Sequence, residues 1–298
     1  MKVIITGATG WLGRASLQAI KKVMPEVKPQ DLILYASRAR SHSDPSFGVV
    51  NVQELASSEV ITKKVDLFIS LALKTRDYSM KMDEEEYLES NKALIKKNLE
   101  LMKSVNPQKI ILISSGVVSK YLEENGTLDP YTEVKILEEK LFNEFAQQTN
   151  SQLVILRLWG ATGALMTEPL KYAIGNLMHQ AETTNQIIIN SNTEVFRRYT
   201  DATQIFEVLI RAIQIGYSGT LNSGGVIVEI EVLAQRISDY YGKSIEIVRN
   251  LESGGEPDFY VPTDSEFDEL AKCVGVSLLN LEDQIALTAK SVKQAMKN

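Results

Sequence analysis

Apolar positions in the first half of the chain gather in five short runs without strict alternation: KVIITG (2–7), LILYAS (32–37), VDLFISLA (65–72), KIILISS (109–115) and QLVILRLWG (152–160). Runs of that length without a polar face predict strands buried from both sides. Between them, residues 11–23, about 83–104 and 131–149 carry apolar side chains at helical spacing. Strand and helix taking turns in this way predict βαβ units, and so an α/β protein with a parallel, doubly wound sheet that takes ligands beyond the carboxyl ends of its strands. The second half is less regular. Helical material at 165–185, the run QIIIN (186–190), the helix ATQIFEVLIRAIQ (202–214), the run GTLNSGG (219–225) and the segment VEIEVLAQRISDYYG (228–242) predict a smaller α+β lobe. The expected division is a sheet domain over 1–163, to which the chain returns around 186–223, and a smaller lobe made mainly of 164–298. The cleft between the two is the expected ligand site.

Two local patterns carry candidate chemistry. The first, VIITGATGWLG, sets Gly7, Gly10 and Gly13 between the first strand and the first helix. Glycines there permit a tight turn and close approach of a pyrophosphate to the backbone, with the helix amino terminus aimed at the phosphates. A dinucleotide is therefore expected, with 1–163 as its binding domain. An NAD site usually offers a carboxylate at the end of the second strand, whereas LYASRARS offers Ser37, Arg38 and Arg40. Guanidinium groups suit an added 2′-phosphate, so NADP(H) is favoured and NAD(H) is the alternative. Arg14 is a lesser candidate for the same phosphate.

The second pattern is DPYTEVK (129–135). Asp129 is placed to cap a helix and Pro130 to open it. The helix that follows has Ile136, Leu137, Leu141, Phe142 and Phe145 available for a core, and places Tyr131 and Lys135 on one face. Of the chain's 11 tyrosines, Tyr131 alone has a lysine four residues later. Helical spacing would also bring together a tyrosine and a lysine with no chemical task.

Composition narrows the partners. A net charge of -6 gives no general electrostatic reason to bind nucleic acid or an anionic membrane. The single cysteine, Cys273, excludes an intrachain disulfide and fits a reducing compartment, so a cytoplasmic protein is expected. The two histidines, His42 and His179, are far apart and in no metal-ligand spacing, so no metal is expected. No apolar run reaches membrane-spanning length.

Taken together, TGATGWLG, ISS and YTEVK resemble the extended short-chain dehydrogenase/reductase family, the group of NAD(P)-dependent nucleotide-sugar epimerases, dehydratases and reductases. The likeness runs through nearly the whole chain. Asn91 stands at the family's helix asparagine, VILRLWGATG resembles its Leu-Arg-Pro-x-Asn-x-x-Gly stretch, and RRYTDATQIFEVLIRAI resembles its Arg-Asp-Tyr and Asp-Asp-Val segment. The resemblance implies a Rossmann sheet with a smaller α+β substrate-binding lobe. It implies Tyr131 as acid/base, Lys135 as its helper and cofactor-ribose ligand, and Ser115 as the group that bonds the substrate oxygen. It further implies cofactor contacts from Gly7, Thr9, Gly10, Trp11, Leu12, Gly13, Leu71, Ala72 and Asn91, and substrate contacts from Ser115 and Gly116, with Arg197 or Arg198 meeting a diphosphate. A homodimer built on the helices that begin near Glu84 and at Pro130 is implied as well.

The sequence also departs from the family. The stretch between Ser115 and Tyr131 is short, Gly160 replaces a usual asparagine, and Thr203 with Gln204 replaces paired acids. SLALK lacks a usual histidine, and Gly116 with Val117 stands where dehydratases carry Asp-Glu, so a 4,6-dehydratase is not expected. The expectation is an NADP(H)-dependent reductase of a keto group on a nucleotide-linked sugar. The alternatives are an NAD-dependent nucleotide-sugar epimerase and a non-catalytic NADP-sensing protein.

Overall fold

The computed structural model describes all residues except 58–63, 125–127, 243, 252–254 and 298. Its strands are β1 (Val3–Thr6), β2 (Leu32–Ala36), β3 (Arg40–Asp44), β4 (Gly48–Glu54), β5 (Leu67–Ser70), β6 (Lys109–Ser115), β7 (Gln152–Leu158), β8 (Ala161–Thr162), β9 (Gln186–Ile188), β10 (Val195–Asp201), β11 (Gly219–Asn222), β12 (Val226–Glu229), β13 (Glu246–Val248) and β14 (Asp258–Tyr260). Its α-helices are α1 (Trp11–Val23), α2 (Arg76–Ser79), α3 (Glu84–Val105), α4 (Gly116–Glu124), α5 (Pro130–Thr149), α6 (Ala173–Thr184), α7 (Ala202–Gln214), α8 (Ile230–Tyr241), α9 (Glu266–Cys273) and α10 (Leu281–Ala295).

The chain divides into two units. The first contains residues 1–158 and 206–222, the second residues 159–205 and 223–298, so β9 and β10 lie in the second. In the first unit, eight strands form one sheet in the order β11-β7-β6-β5-β1-β2-β4-β3. Every pairing is parallel except β3 with β4. This is the doubly wound sheet that the alternation of runs predicts. Its strands β1, β5 and β6 are almost wholly buried, which is why they lack a polar face. Strand order reverses between β1 and β5, and a sheet of this kind opens a crevice at such a point.

One face of the sheet packs against α3 and α5 through Ile4, Tyr35, Phe68, Leu101, Met102, Ile110, Phe142, Phe145 and Ile155. The β3–β4 hairpin is absent from the sequence reading because it forms the sheet's edge, where many positions are exposed and polar. In the second unit, β12, β10 and β14 form a sheet that β8 joins through β10, and β13 pairs with β9. The segment that begins at 228 opens with the end of strand β12, residues 226–229. Glu229 then caps α8 by accepting from Glu231 N–H at 2.7 Å. Among the described residues, no helix is long and apolar enough to cross a membrane.

Candidate active site

The turn after β1 is built so that two of its three glycines are required by the protein's own packing. Gly7 has φ +73°, and a Cβ there would lie 2.8 Å from the Leu71 carbonyl carbon at the end of β5. At Gly13 a Cβ would lie 2.4 Å from the Gly7 carbonyl oxygen and 2.5 Å from Ala8, so α1 can approach β1 only without a side chain there. Gly10 differs. A Cβ on it would meet only Gly7 O, at 3.4 Å, so the space in front of it is left open by the protein. Gly10 is the N-cap of α1, no side chain caps that helix, and its first turn has no acidic residue. Its leading N–H groups and positive end therefore suit an anion. An open glycine on an uncapped helix at the carboxyl end of β1 fits the pyrophosphate of a dinucleotide. Thr9 and Leu12 are half-buried beside it, and Trp11 is buried.

Across the crevice, Leu71 N–H donates to Thr6 O at 3.1 Å, which joins the end of β5 to β1. The half-buried segment Leu71–Lys74 is then held from α3. Lys74 N–H donates to Asn91 Oδ1 at 2.8 Å, and Tyr87 Oη–H donates to Lys74 O at 2.8 Å. Asn91 is fully buried, and both ends of its amide face Lys74. Both of its bonds go to the backbone of Lys74, so the amide is engaged in holding that segment.

At the end of β2, Ser37, Arg38 and Arg40 are exposed. Arg14 and Arg40 both act on His42, whose imidazole is held below its ordinary value by burial first and by these charges next, with Asp44 opposing. Arg14 and Arg40 thus each lie within electrostatic reach of His42. It also brings a carboxylate that the sequence reading missed: Glu54 on β4 pairs in register with Ala36 and accepts from Ser57 Oγ at 2.8 Å. The missing signal was strand pairing, since Glu54 lies on β4 and not on β2.

Ser115 is the last residue of β6, buried, with Val117 N–H directed at its Oγ at 3.5 Å; Gly116 starts α4 immediately after it. Asp129 caps α5, accepting from Thr132 N–H at 2.7 Å, and Arg76 braces the same carboxylate at 3.0 Å. Residues 125–127 of the short connection between Ser115 and Tyr131 lie outside the described residues. Tyr131 sits at the start of α5, packed against the buried cluster of Tyr87, Ile95 and Val134. One turn later Lys135 is buried, and its Nζ donates to Ile113 O and to Glu138 Oε2, each at 2.8 Å. Strand β5 ends opposite Leu112, so the Ile113 carbonyl lies beyond β5 and accepts from the lysine. The fold thus brings Ser115 and the Tyr131–Lys135 pair to the carboxyl end of β6. Glu139 is ion-paired with Arg157 of β7 through bonds of 3.0 and 2.8 Å, which ties α5 to the sheet.

The two arginines suggested for a diphosphate are otherwise engaged within the second unit. Arg198 is buried and donates to Gly225 O, Asp264 O and the Asp268 carboxylate. Arg197 pairs with Asp258 at 2.7 Å and lies near the Tyr260 ring. Both are used to join strands and helices of that unit, which argues against a spare cation at either position. Gly160 has a steric reason to lack the usual asparagine: a Cβ there would lie 2.3 Å from Arg198 O. Gln204 bonds Ser277 O and Leu279 N–H in the place of an acid. Among the described residues, no group of three or more His, Cys, Asp or Glu could hold a metal ion.

The family model for the NAD dependent epimerase/dehydratase family matches residues 3–224. No curated protein matches the chain. Among solved structures, it is similar to UDP-N-acetylglucosamine 4-epimerase from Methanobrevibacter ruminantium M1 in complex with UDP-N-acetylmuramic acid, with 20% identity, TM-score 0.74, and 99% of this chain and 98% of that one covered. It is also similar to UDP-glucose 4-epimerase with UDP-glucose from Thermotoga maritima, at 16% identity and TM-score 0.76, over 99% and 100%. A third similar structure is an NAD dependent NDP-hexosamine 5,6-dehydratase involved in tunicamycin biosynthesis, at 18% identity and TM-score 0.75, over 98% of each chain. At these identities the likeness establishes the fold.

Proposed function

The chain belongs to the NAD dependent epimerase/dehydratase family, and we propose that it is an NAD-dependent epimerase of a nucleotide-linked sugar. The observation that carries this reading is Tyr131 on α5, with Lys135 buried one turn behind it and Ser115 at the end of β6, on the same sheet as a glycine turn suited to a pyrophosphate. When bound, a nicotinamide dinucleotide supplies a hydride acceptor and donor. Tyr131 Oη takes the proton of the sugar hydroxyl and returns it after the ketone has turned. Ser115 Oγ bonds that oxygen throughout, and the Lys135 ammonium favours the phenolate. Gly116 and Val117 bring no carboxylate next to Ser115, which supports epimerisation over dehydration. The two similar solved epimerases of UDP-sugars support the same choice, and the NAD dependent dehydratase supports NAD over the NADP expected from the second strand.

The test is ¹H NMR of UDP-glucose, UDP-N-acetylglucosamine and UDP-glucuronic acid incubated with the protein and NAD. An epimer should accumulate without net NADH. Consumption of NADPH in proportion to added keto sugar, with no epimer formed, would replace this reading with a reductase. One observation favours that second reading: Arg14 and Arg40 each lie within electrostatic reach of His42, near a strand end that carries no acid of its own. Fluorescence titration with NADH and NADPH separates the two. For the epimerase, NADH binds at least as tightly, and Arg38→Ala or Arg40→Ala changes NADH affinity less than about threefold, since exposed arginines contribute little without a phosphate partner. A preference for NADPH that Arg38→Ala removes would establish a phosphate site. Bound cofactor with neither epimer nor reduced sugar across such a panel would favour a sensor.

A homodimer through α3 and α5 belongs to the same proposal. Half-buried Leu99, Leu137 and Leu141 lie there among Lys92, Lys96 and Lys103.

A further inference from the structure

The charge beside Lys135 is unusual for a helix read as amphipathic. Glu138 is 1% exposed and Lys135 6% exposed, and their charged ends meet at 2.8 Å in the interior between α5 and the sheet. With Ile113 O on β6 as a second acceptor, two of the three ammonium N–H groups are fixed, leaving one to point elsewhere. We propose that Glu138 is a positioning residue that clamps the Lys135 ammonium and balances its charge, and thereby sets the pH at which the Tyr131–Lys135 couple loses its first proton. The role assigned to Tyr131 rests on the function proposed above.

The geometry supplies the reason. A lone buried ammonium one turn behind Tyr131 would favour the phenolate strongly. A carboxylate on the same ammonium makes the pair nearly neutral from a distance, so much of that pull is lost. Burial acts to lower the Lys135 value, and the Glu138 carboxylate, joined by the charges of Tyr131 and Glu139, outweighs it, leaving the lysine above its ordinary value and charged. Burial pushes the Glu138 carboxyl up against the pull of Lys135, and Glu139 adds to the rise. Other groups on packed elements complete the set. From β7, Arg157 is directed at Glu139; from α3, Tyr87 faces Tyr131; from α2, Arg76 reaches Asp129; from α4, Ser119 accepts from Arg157.

The test compares wild type, Glu138→Gln, Glu138→Asp and Tyr131→Phe by phenolate ultraviolet difference titration, with the Tyr131→Phe curve subtracted to isolate Tyr131. Removing the carboxylate charge leaves the ammonium uncompensated, so in Glu138→Gln the Tyr131 phenolate should form at a lower pH. The ascending limb of the epimerisation pH profile should move by the same amount. A purely structural role would reduce turnover equally at every pH and leave the limb in place. If Glu138→Gln does not fold, Glu138→Asp carries the test with a smaller shift in the same direction, because its carboxylate is withdrawn by one methylene. An unmoved titration in a folded variant overturns the proposal. So does an upward shift, in which the lysine gives up its proton once its counter-ion is gone. A downward shift in a protein that turns over no nucleotide sugar would sustain the proposal and sink the function. Turnover abolished by Tyr131→Phe with an unmoved Glu138→Gln limb would do the reverse.

Discussion

Tyr131→Phe is expected to reduce turnover by about 10²–10⁴-fold while leaving the fold and cofactor affinity nearly unchanged, because it removes one oxygen from the proposed acid/base. The ring keeps its place against Tyr87, Ile95 and Val134 and loses only its hydroxyl, so no sizeable cavity opens. Lys135 retains both of its fixed partners, Ile113 O and Glu138, and the glycine turn is untouched. The deficit should therefore be in kcat more than in cofactor binding, and kcat/KM should fall with it. Steady-state kinetics beside a cofactor titration and a thermal melt would check this. Turnover within threefold of wild type, with the melt unchanged, would remove Tyr131 from the mechanism.

Gly13→Ala should produce the second large effect. In an exposed helix interior, alanine in place of glycine is favourable by about 0.5–1 kcal/mol. Here the new Cβ would lie 2.4 Å from Gly7 O and 2.5 Å from the Ala8 carbonyl, both backbone atoms that no rotamer change can move. Helix α1 must back away from β1, which costs about 1–3 kcal/mol as overpacking does and displaces the leading N–H groups by a fraction of an ångström or more. The melt should drop, and nicotinamide-cofactor affinity should fall by two orders of magnitude or so, since charge-assisted bonds to a pyrophosphate depend steeply on aim. Gly10→Ala is the internal control. Its Cβ meets only Gly7 O at 3.4 Å, so stability should change by less than about 0.5 kcal/mol while cofactor binding still weakens. Equal melts for both variants would remove the packing requirement at Gly13, and full cofactor affinity in Gly10→Ala would mean that the turn is structural alone.

Strands β1, β5 and β6 of the main sheet were legible because each is buried on both faces and so reads as an unbroken apolar run. The start of α5 was legible because Asp129 and Pro130 act on their own helix, within a few residues. The β3–β4 hairpin was not, since an edge strand needs few apolar positions. The inside of α5 was misjudged for a related reason. Ile136, Leu137 and Leu141, picked out for the core, are only half-buried, whereas Lys135, Glu138 and Glu139 are buried beside Phe142 and Phe145. A helix covered by the sheet on one side and by α3 and α4 on others has no single wet face. Its charges can then be interior if each meets an opposite charge.

What the sequence determined by itself was local: the order of strands and helices, the glycine turn, the capped helix start and the one-turn spacing of Tyr131 and Lys135. Each depends on backbone sterics or on neighbours within a turn. Tertiary structure alone decided which distant groups meet. It joined Glu138 and Ile113 O at Lys135, engaged Arg198 with Asp268 and Arg197 with Asp258, set Glu54 in register with Ala36, and turned Asn91 toward the backbone of Lys74. Those meetings depend on strand pairing and helix packing between residues up to 70 positions apart, as for Arg198 and Asp268. A side chain's charge and hydrogen-bonding capacity are written in its type, but whether they are free for a ligand is fixed only by what the fold places against it.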